Sequence, residues 1–145
     1  MTKILIIGQA PGRTPGVVLG GRCGGRLAAL AGISLEEFLE RTDRTNLLDH
    51  WPGKSGEGDA FVSQFDAREM AASMLPMLAG RVVVLLGNGV SGAFCMRGSA
   101  FTWITALDAK AVAWSPHPSG ISRWWNDQRN VARAASFWSK TFERP

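Results

Sequence analysis

The sequence predicts an α/β protein, a three-layer α/β/α arrangement around a central, mainly parallel four-stranded sheet. Three short runs, KILIIG (Lys3 to Gly8), RVVVLLG (Arg81 to Gly87) and AKAVAWS (Ala109 to Ser115), are apolar on both faces. Strands read that way when helices cover the sheet on both sides. Segments of helical periodicity stand between the runs, and strand–helix alternation favours parallel pairing with crossovers.

Each element follows in chain order. Lys3 to Gly8 is a β-branched run closed by glycine, the mark of a buried strand. Gln9 to Gly25 is rich in Gly and Pro and reads as one long loop; loops of that length in compact domains usually carry function. GRLAALAGI and SLEEFLERT then read as helices, the second with Ser34 as N-cap and Glu37 completing a capping box. RTNLLDHW (Arg44 to Trp51) supplies a short strand, and PGKSGEGD a polar loop. Phe65 to Leu78 is helical, with Pro76 expected to distort or end it. After the strand ending at Gly87, NGVSGAFCM begins a helix. FTWITAL reads either as a strand or as irregular chain under the sheet. Ala109 to Ser115 is the last strand, and ISRWWNDQRNVARAASFWSKTF one long final helix.

In such a fold ligands bind beyond the carboxyl ends of the strands. The loops there begin at Gln9, Asp49, Asn88 and His117, so these residues should converge.

The totals narrow the class. A chain of 145 residues fits one domain, residues 1–145, with 46% hydrophobic and 19% charged residues, a globular balance. No apolar run approaches the roughly 20 residues of a membrane helix. The opening MTKILIIG enters a strand directly, so a cytoplasmic protein with no membrane association is expected. Cys23 and Cys95 lack CxxC spacing, which argues against a zinc or iron–sulfur site; no metal and no cofactor are expected. The formal charge of +4 suits a polyanion partner. Arginines at positions 13, 22 and 26, and again at 123, 129 and 133, flank the two Gly/Pro-rich turns.

Those turns carry the chemistry. GQAPG (Gly8 to Gly12) ends the first strand without the GK[ST] of a Walker loop or the GxGxxG of a dinucleotide fold. SPHPSG (Ser115 to Gly120) cages one of two histidines between prolines after the last strand. Together with VLGGRCGGRLAALAGIS and RTNLL between them, this pair resembles the uracil-DNA glycosylase superfamily, over most of the chain from Lys3 to about Asn130. The closest wording is that of the branch with iron–sulfur clusters.

The resemblance implies an enzyme that flips a base from DNA into a pocket and reads its Watson–Crick edge. Asn46 matches the asparagine suited to a pyrimidine N3–H and O4. His117 matches the histidine that hydrogen-bonds O2 and stabilises charge developing there. Ile121 matches the apolar wedge that fills the gap in the stack. Ser119, Gly120 and Arg123 fall on the DNA, where Arg suits phosphate.

Departures from the pattern bear on the reaction. Ala10 stands where branches of the superfamily place Asp or Asn. Gln9 stands where another places Glu; it can bind water but cannot act as a base. Leu19 takes the place of the aromatic that stacks on the base, and the cluster cysteines are absent. Asp49, with His50 beside it, is a candidate replacement for acid–base chemistry, and Asp127 a further one. Trp51, Trp124 and Trp125 fall near the proposed rim, where indoles can stack on bases, whereas Trp103, Trp114 and Trp138 suit the core. Of the adjacent Trp124 and Trp125 at most one can face inward, which leaves the other partly exposed.

Three readings follow. One is hydrolysis of the N-glycosidic bond of uracil or a modified pyrimidine in single- or double-stranded DNA. Another uses the same pocket for group transfer onto a modified pyrimidine without glycosidic cleavage. The third is a non-catalytic binder of DNA or of a damaged base.

Overall fold

A computed structural model describes residues 3–11, 16, 18–50, 52–55, 58–59, 61–96, 98–118 and 123–143. Four strands, β1 (Ile4–Gly8), β2 (Thr42–Asn46), β5 (Val82–Leu86) and β6 (Ala111–Ser115), form one sheet in the order β2-β1-β5-β6. All three pairings are parallel, with Ile4 opposite Thr42, Ile7 opposite Leu85 and Leu86 opposite Ser115.

Alternation along the central strands divides the core in two. Leu5, Ile7, Val83, Leu85 and Val112 pack with Ala67, Ala71 and Leu78 of α3 (Gln64–Leu78) and Val90 of α4 (Asn88–Ala93). Ile6, Val84, Leu86 and Ala113 face the other way. They meet Leu27 and Ala28 of α1 (Arg22–Ala31), Phe38 of α2 (Leu35–Arg41), and Ala134, Phe137 and Trp138 of α5 (Gln128–Glu143). The three layers of the predicted α/β/α fold are therefore present. Burying each such large side chain stabilises the layers by roughly 1.5–3 kcal/mol.

Local differences from the sequence expectation have identifiable causes. Helix α1 begins at Arg22, inside the stretch expected to be loop. A Cβ on Gly24 would overlap the Leu19 carbonyl, so this glycine serves close packing against the helix rather than turn freedom. Ser34 caps α2, its Oγ accepting from Glu37 N at 3.0 Å, but the Glu37 carboxylate pairs with Arg41 instead of closing the box.

Strand β2 runs Thr42–Asn46 rather than Arg44 to Trp51, and its sequence TDRTN is polar because it is an edge strand. Arg44 holds that edge. Its guanidinium donates to Leu39 O, Thr42 O and Thr42 Oγ1, and its Nε to Val18 O. Leu47 and Leu48 leave the strand but still donate to Gly8 O and Gln9 O, and both are buried.

Within the expected polar loop, β3 (Lys54–Ser55) and β4 (Gly58–Asp59) form a two-residue antiparallel ladder. Pro76 lies in the last turn of α3, where its missing N–H costs one bond and the helix continues to Leu78. FTWITAL is irregular. It runs along the outer edge of β6, touching it through the Ile104–Val112 bridge and Phe101 N to Trp114 O at 2.8 Å.

The long final helix is interrupted. A 3₁₀ turn, η1 (Arg123–Asn126), precedes α5, and Asp127 separates them by accepting from Arg129 N at 2.9 Å. This capping contact competes with continuous α-helix, as Asp commonly does. Among the described residues no helix is long and apolar enough to cross a membrane.

Candidate functional site

The chain passes from β1 outward to β2, then returns past β1 to β5. Helix α1 follows β1 on one face and α4 follows β5 on the other, so the strand order reverses between β1 and β5. At such a switch point the loops part and leave a crevice beyond the carboxyl ends. Both strands close on glycine there, Gly8 in β1 and Gly87 just after β5.

Each glycine lies against one of the predicted base-reading side chains, Gly8 leaving space for Asn46 and Gly87 in contact with His117. A Cβ on Gly8 would come within 2.8 Å of Asn46 Oδ1, so the Asn46 amide lies directly over the end of β1. A Cβ on Gly87 would lie 3.4 Å from the Cβ of His117. Gly87 also has φ 90, a conformation that L side chains rarely adopt, and its N–H donates to Ser115 O at 2.7 Å. With neighbouring strands about 4.8 Å apart, Asn46 and His117 flank the ends of the two central strands from either side.

His117 is held from behind. Its carbonyl accepts from Trp125 Nε1 at 2.8 Å, and the Trp125 ring carries Arg26 with Cζ 4.8 Å from its centroid. Of the two adjacent indoles, of which the sequence allowed at most one to face inward, Trp125 is the buried one. Trp124 packs edge-on against Trp125 at 4.6 Å and against Phe101 at 5.7 Å, leaving it half-buried. The Arg26–Trp125 support was not singled out in the sequence; only the nearness of arginines to the Gly-rich turn hinted at it. Trp138 is fully buried, whereas Trp103 and Trp114 are half-buried.

The remaining predicted residues take varied positions. Gln9 and Ala10 are half-buried beyond β1, and the Gln9 carbonyl accepts from Leu48 N, which fixes the backbone at this point. Leu19 has φ 56 and packs against the α1/α5 core. Arg123 is exposed on η1 and forms no ion pair among the described residues. Ser119, Gly120, Ile121 and Trp51 lie outside the described residues.

Asp49 and His50 meet on the turn after β2, with Asp49 Oδ1 2.6 Å from His50 Nδ1. The Asp49 side chain is 96% exposed. The His50 hydrogen bond and charge hold its carboxyl below the usual carboxylate range, so it is ionised at neutral pH. Asp127 is likewise held low by Arg129, to which it also pairs at 3.1 Å, and its carboxylate is occupied as a cap.

Cys23 and Cys95 are free thiols. Burial pushes the Cys23 thiol up, against the opposing pull of Arg26 and Arg22. Among the described residues no three His, Cys, Asp or Glu side chains group as metal ligands.

No curated protein matches the chain. A family model described as the uracil DNA glycosylase superfamily matches residues 1–141, nearly the whole sequence, and the chain belongs to that superfamily.

Proposed function

We propose that this member of the superfamily takes a flipped uracil or modified pyrimidine of DNA between Asn46 and His117 and hydrolyses its N-glycosidic bond. The observation that carries the reading is the pair of strand-end glycines, Gly8 and Gly87, each set against one of those two side chains.

The chemistry follows from the groups present. An Asn amide offers one donor and one acceptor, which match the O4 and N3–H of a pyrimidine. As the bond to the sugar breaks, negative charge gathers on the base and positive charge on the sugar. A hydrogen bond from His117 to O2 opposes the first; one fixed donor of this kind typically contributes about 2.7–4 kcal/mol to such a transition state. The Trp125 bond to the His117 carbonyl and the Arg26 stack behind it hold the imidazole's backbone while charge develops. Ala10 supplies no group to the sugar or to water. Gln9 orients water without deprotonating it, and Asp49 is the ionised carboxylate available to complete the reaction once DNA covers its turn. Turnover is accordingly slow.

A second reading rests on Ala10. A pocket without the residue that assists sugar cleavage suits group transfer onto the pyrimidine, with the glycosidic bond left whole. Oligonucleotides carrying uracil or 5-substituted uracils, single- and double-stranded, test the choice. Hydrolysis gives free base and alkali-labile abasic sites. A shifted nucleoside mass with no abasic sites, seen when donor metabolites are supplied, overturns hydrolysis in favour of transfer. Binding with no change in any nucleoside leaves only a DNA binder.

A further inference from the structure

We propose a second ligand site, for a nucleoside polyphosphate, in a cleft at the amino ends of the strands. The cleft has a volume of about 820 Å³, within the ordinary range for a site that holds a small organic ligand. Lys3, Ile4, Val82 and Ala111, where β1, β5 and β6 begin, form one wall, and α5 forms another. It therefore opens at the pole opposite Asn46 and His117, separated by the length of a five-residue strand, roughly 16 Å.

Its lining is cationic. Lys3, Arg41, Lys110, Arg133 and Lys140 all face it, and no carboxylate lines it among the described residues. Arg41 is committed to Glu37 and to the Phe142 carbonyl. Lys3, Lys110, Arg133 and Lys140 form no ion pair with any described residue, and the nearby Asp43 is taken by Arg81. Four cations with no ion-pair partner among the described residues, converging on one concavity, focus a positive potential there and favour a ligand of three or four negative charges.

The same cleft has an aromatic wall. Trp103 stacks on Phe137 at 5.3 Å and 25°, and Phe101 packs on Phe137 at 5.1 Å, with Arg133 5.7 Å over the Phe101 ring. Trp103 and Phe101 are only half-buried, so part of each ring remains open to the cleft. Aromatic surface next to clustered cations is the combination that takes a base and its phosphates together, since stacking serves any base and ammonium groups serve the phosphates. An inorganic polyanion would leave the aromatic wall unused. This site is independent of the base-reading pocket and of the reaction proposed for it.

Calorimetric titration of the full chain tests the proposal, with magnesium-free ATP, tripolyphosphate and a dT₁₂ oligonucleotide as probes. ATP is expected to saturate one site, with tripolyphosphate weaker. Lys110→Glu combined with Lys140→Glu should weaken ATP at least about tenfold, the equivalent of one lost charge-assisted contact, without moving the thermal midpoint of the free protein. Both lysines are exposed, so the double variant folds. Absence of saturable ATP binding overturns the site, as does ATP binding unchanged by the double reversal or tripolyphosphate binding as tightly as ATP. If dT₁₂ binds more tightly than ATP and shows the same loss on charge reversal, the small-ligand assignment falls and the cleft is a strand-binding surface.

Discussion

Asn46 Oδ1 occupies the space that a side chain on Gly8 would need, at 2.8 Å from the position of the missing Cβ. Gly8→Ala therefore pushes the Asn46 amide off the end of β1. Only the end of a side chain has to move, so the change acts through the position of the amide and costs little stability. Glycosylase turnover should fall about as far as in Asn46→Ala, and the Gly8→Ala, Asn46→Ala double variant should lose little more. Additive losses would show that the two positions act separately.

His117→Ala removes the proposed O2 donor. Turnover is expected to drop about 10²–10³-fold while DNA affinity stays near that of the unmodified chain. Single-turnover kinetics and a gel-shift titration read the two quantities apart. An unaltered rate would take His117 out of the mechanism.

Trp125→Phe keeps a ring against the core but deletes the bond to the His117 carbonyl. A single such bond contributes about 0.5–1.5 kcal/mol, so the thermal midpoint should decrease modestly. If the tryptophan positions His117, kcat falls while KM is unchanged. Arg26→Ala, which removes the cation from the ring, should repeat the effect in smaller degree.

His50→Ala frees Asp49 from the neighbour that favours its charged form, so the Asp49 carboxyl should titrate at higher pH than in the parent protein. Carboxyl-detected NMR measures this. The sign is that of a depressed carboxylate. The pair's contribution is present above the unfolded-state pKa and fades as pH falls through the lower folded-state value. An unshifted titration would show that the two side chains do not interact in solution.

Alkylation should distinguish the thiols. Cys95 is exposed, whereas burial keeps Cys23 protonated to higher pH. With iodoacetamide at pH 8, mass-mapped peptides should show Cys95 modified first and Cys23 catching up only as pH rises. Equal rates at pH 8 would contradict that order.

The layered fold was legible because β1, β5 and β6 are short and buried on both faces, a composition with few other solutions. The edge strand was harder to place. Thr42 and Asp43 do not read as strand in isolation, and the Arg44 bonds to Leu39 and Val18 that secure them depend on tertiary approach. Gly24 looked like loop because its role, contact with Leu19, is invisible without the packing. Asp127 broke a helix whose apolar periodicity continues through it, since a cap outcompetes pattern locally. In the candidate site, Asn46 and His117 were named from two short motifs. Adjacency allowed only one of Trp124 and Trp125 to turn inward; that it is Trp125, the indole that secures His117, depends on packing that spacing alone does not reveal.

The two margins of the sheet have a consequence for behaviour at high concentration. Along β6, Val112 N–H, Val112 C=O and Trp114 C=O are already bonded to the 101–104 segment. Along β2, Arg44 covers the Thr42 carbonyl and Asp43 adds an exposed charge. A foreign strand thus finds neither a continuous ladder nor a flat apolar flank on which to grow, the two conditions for edge-to-edge aggregation.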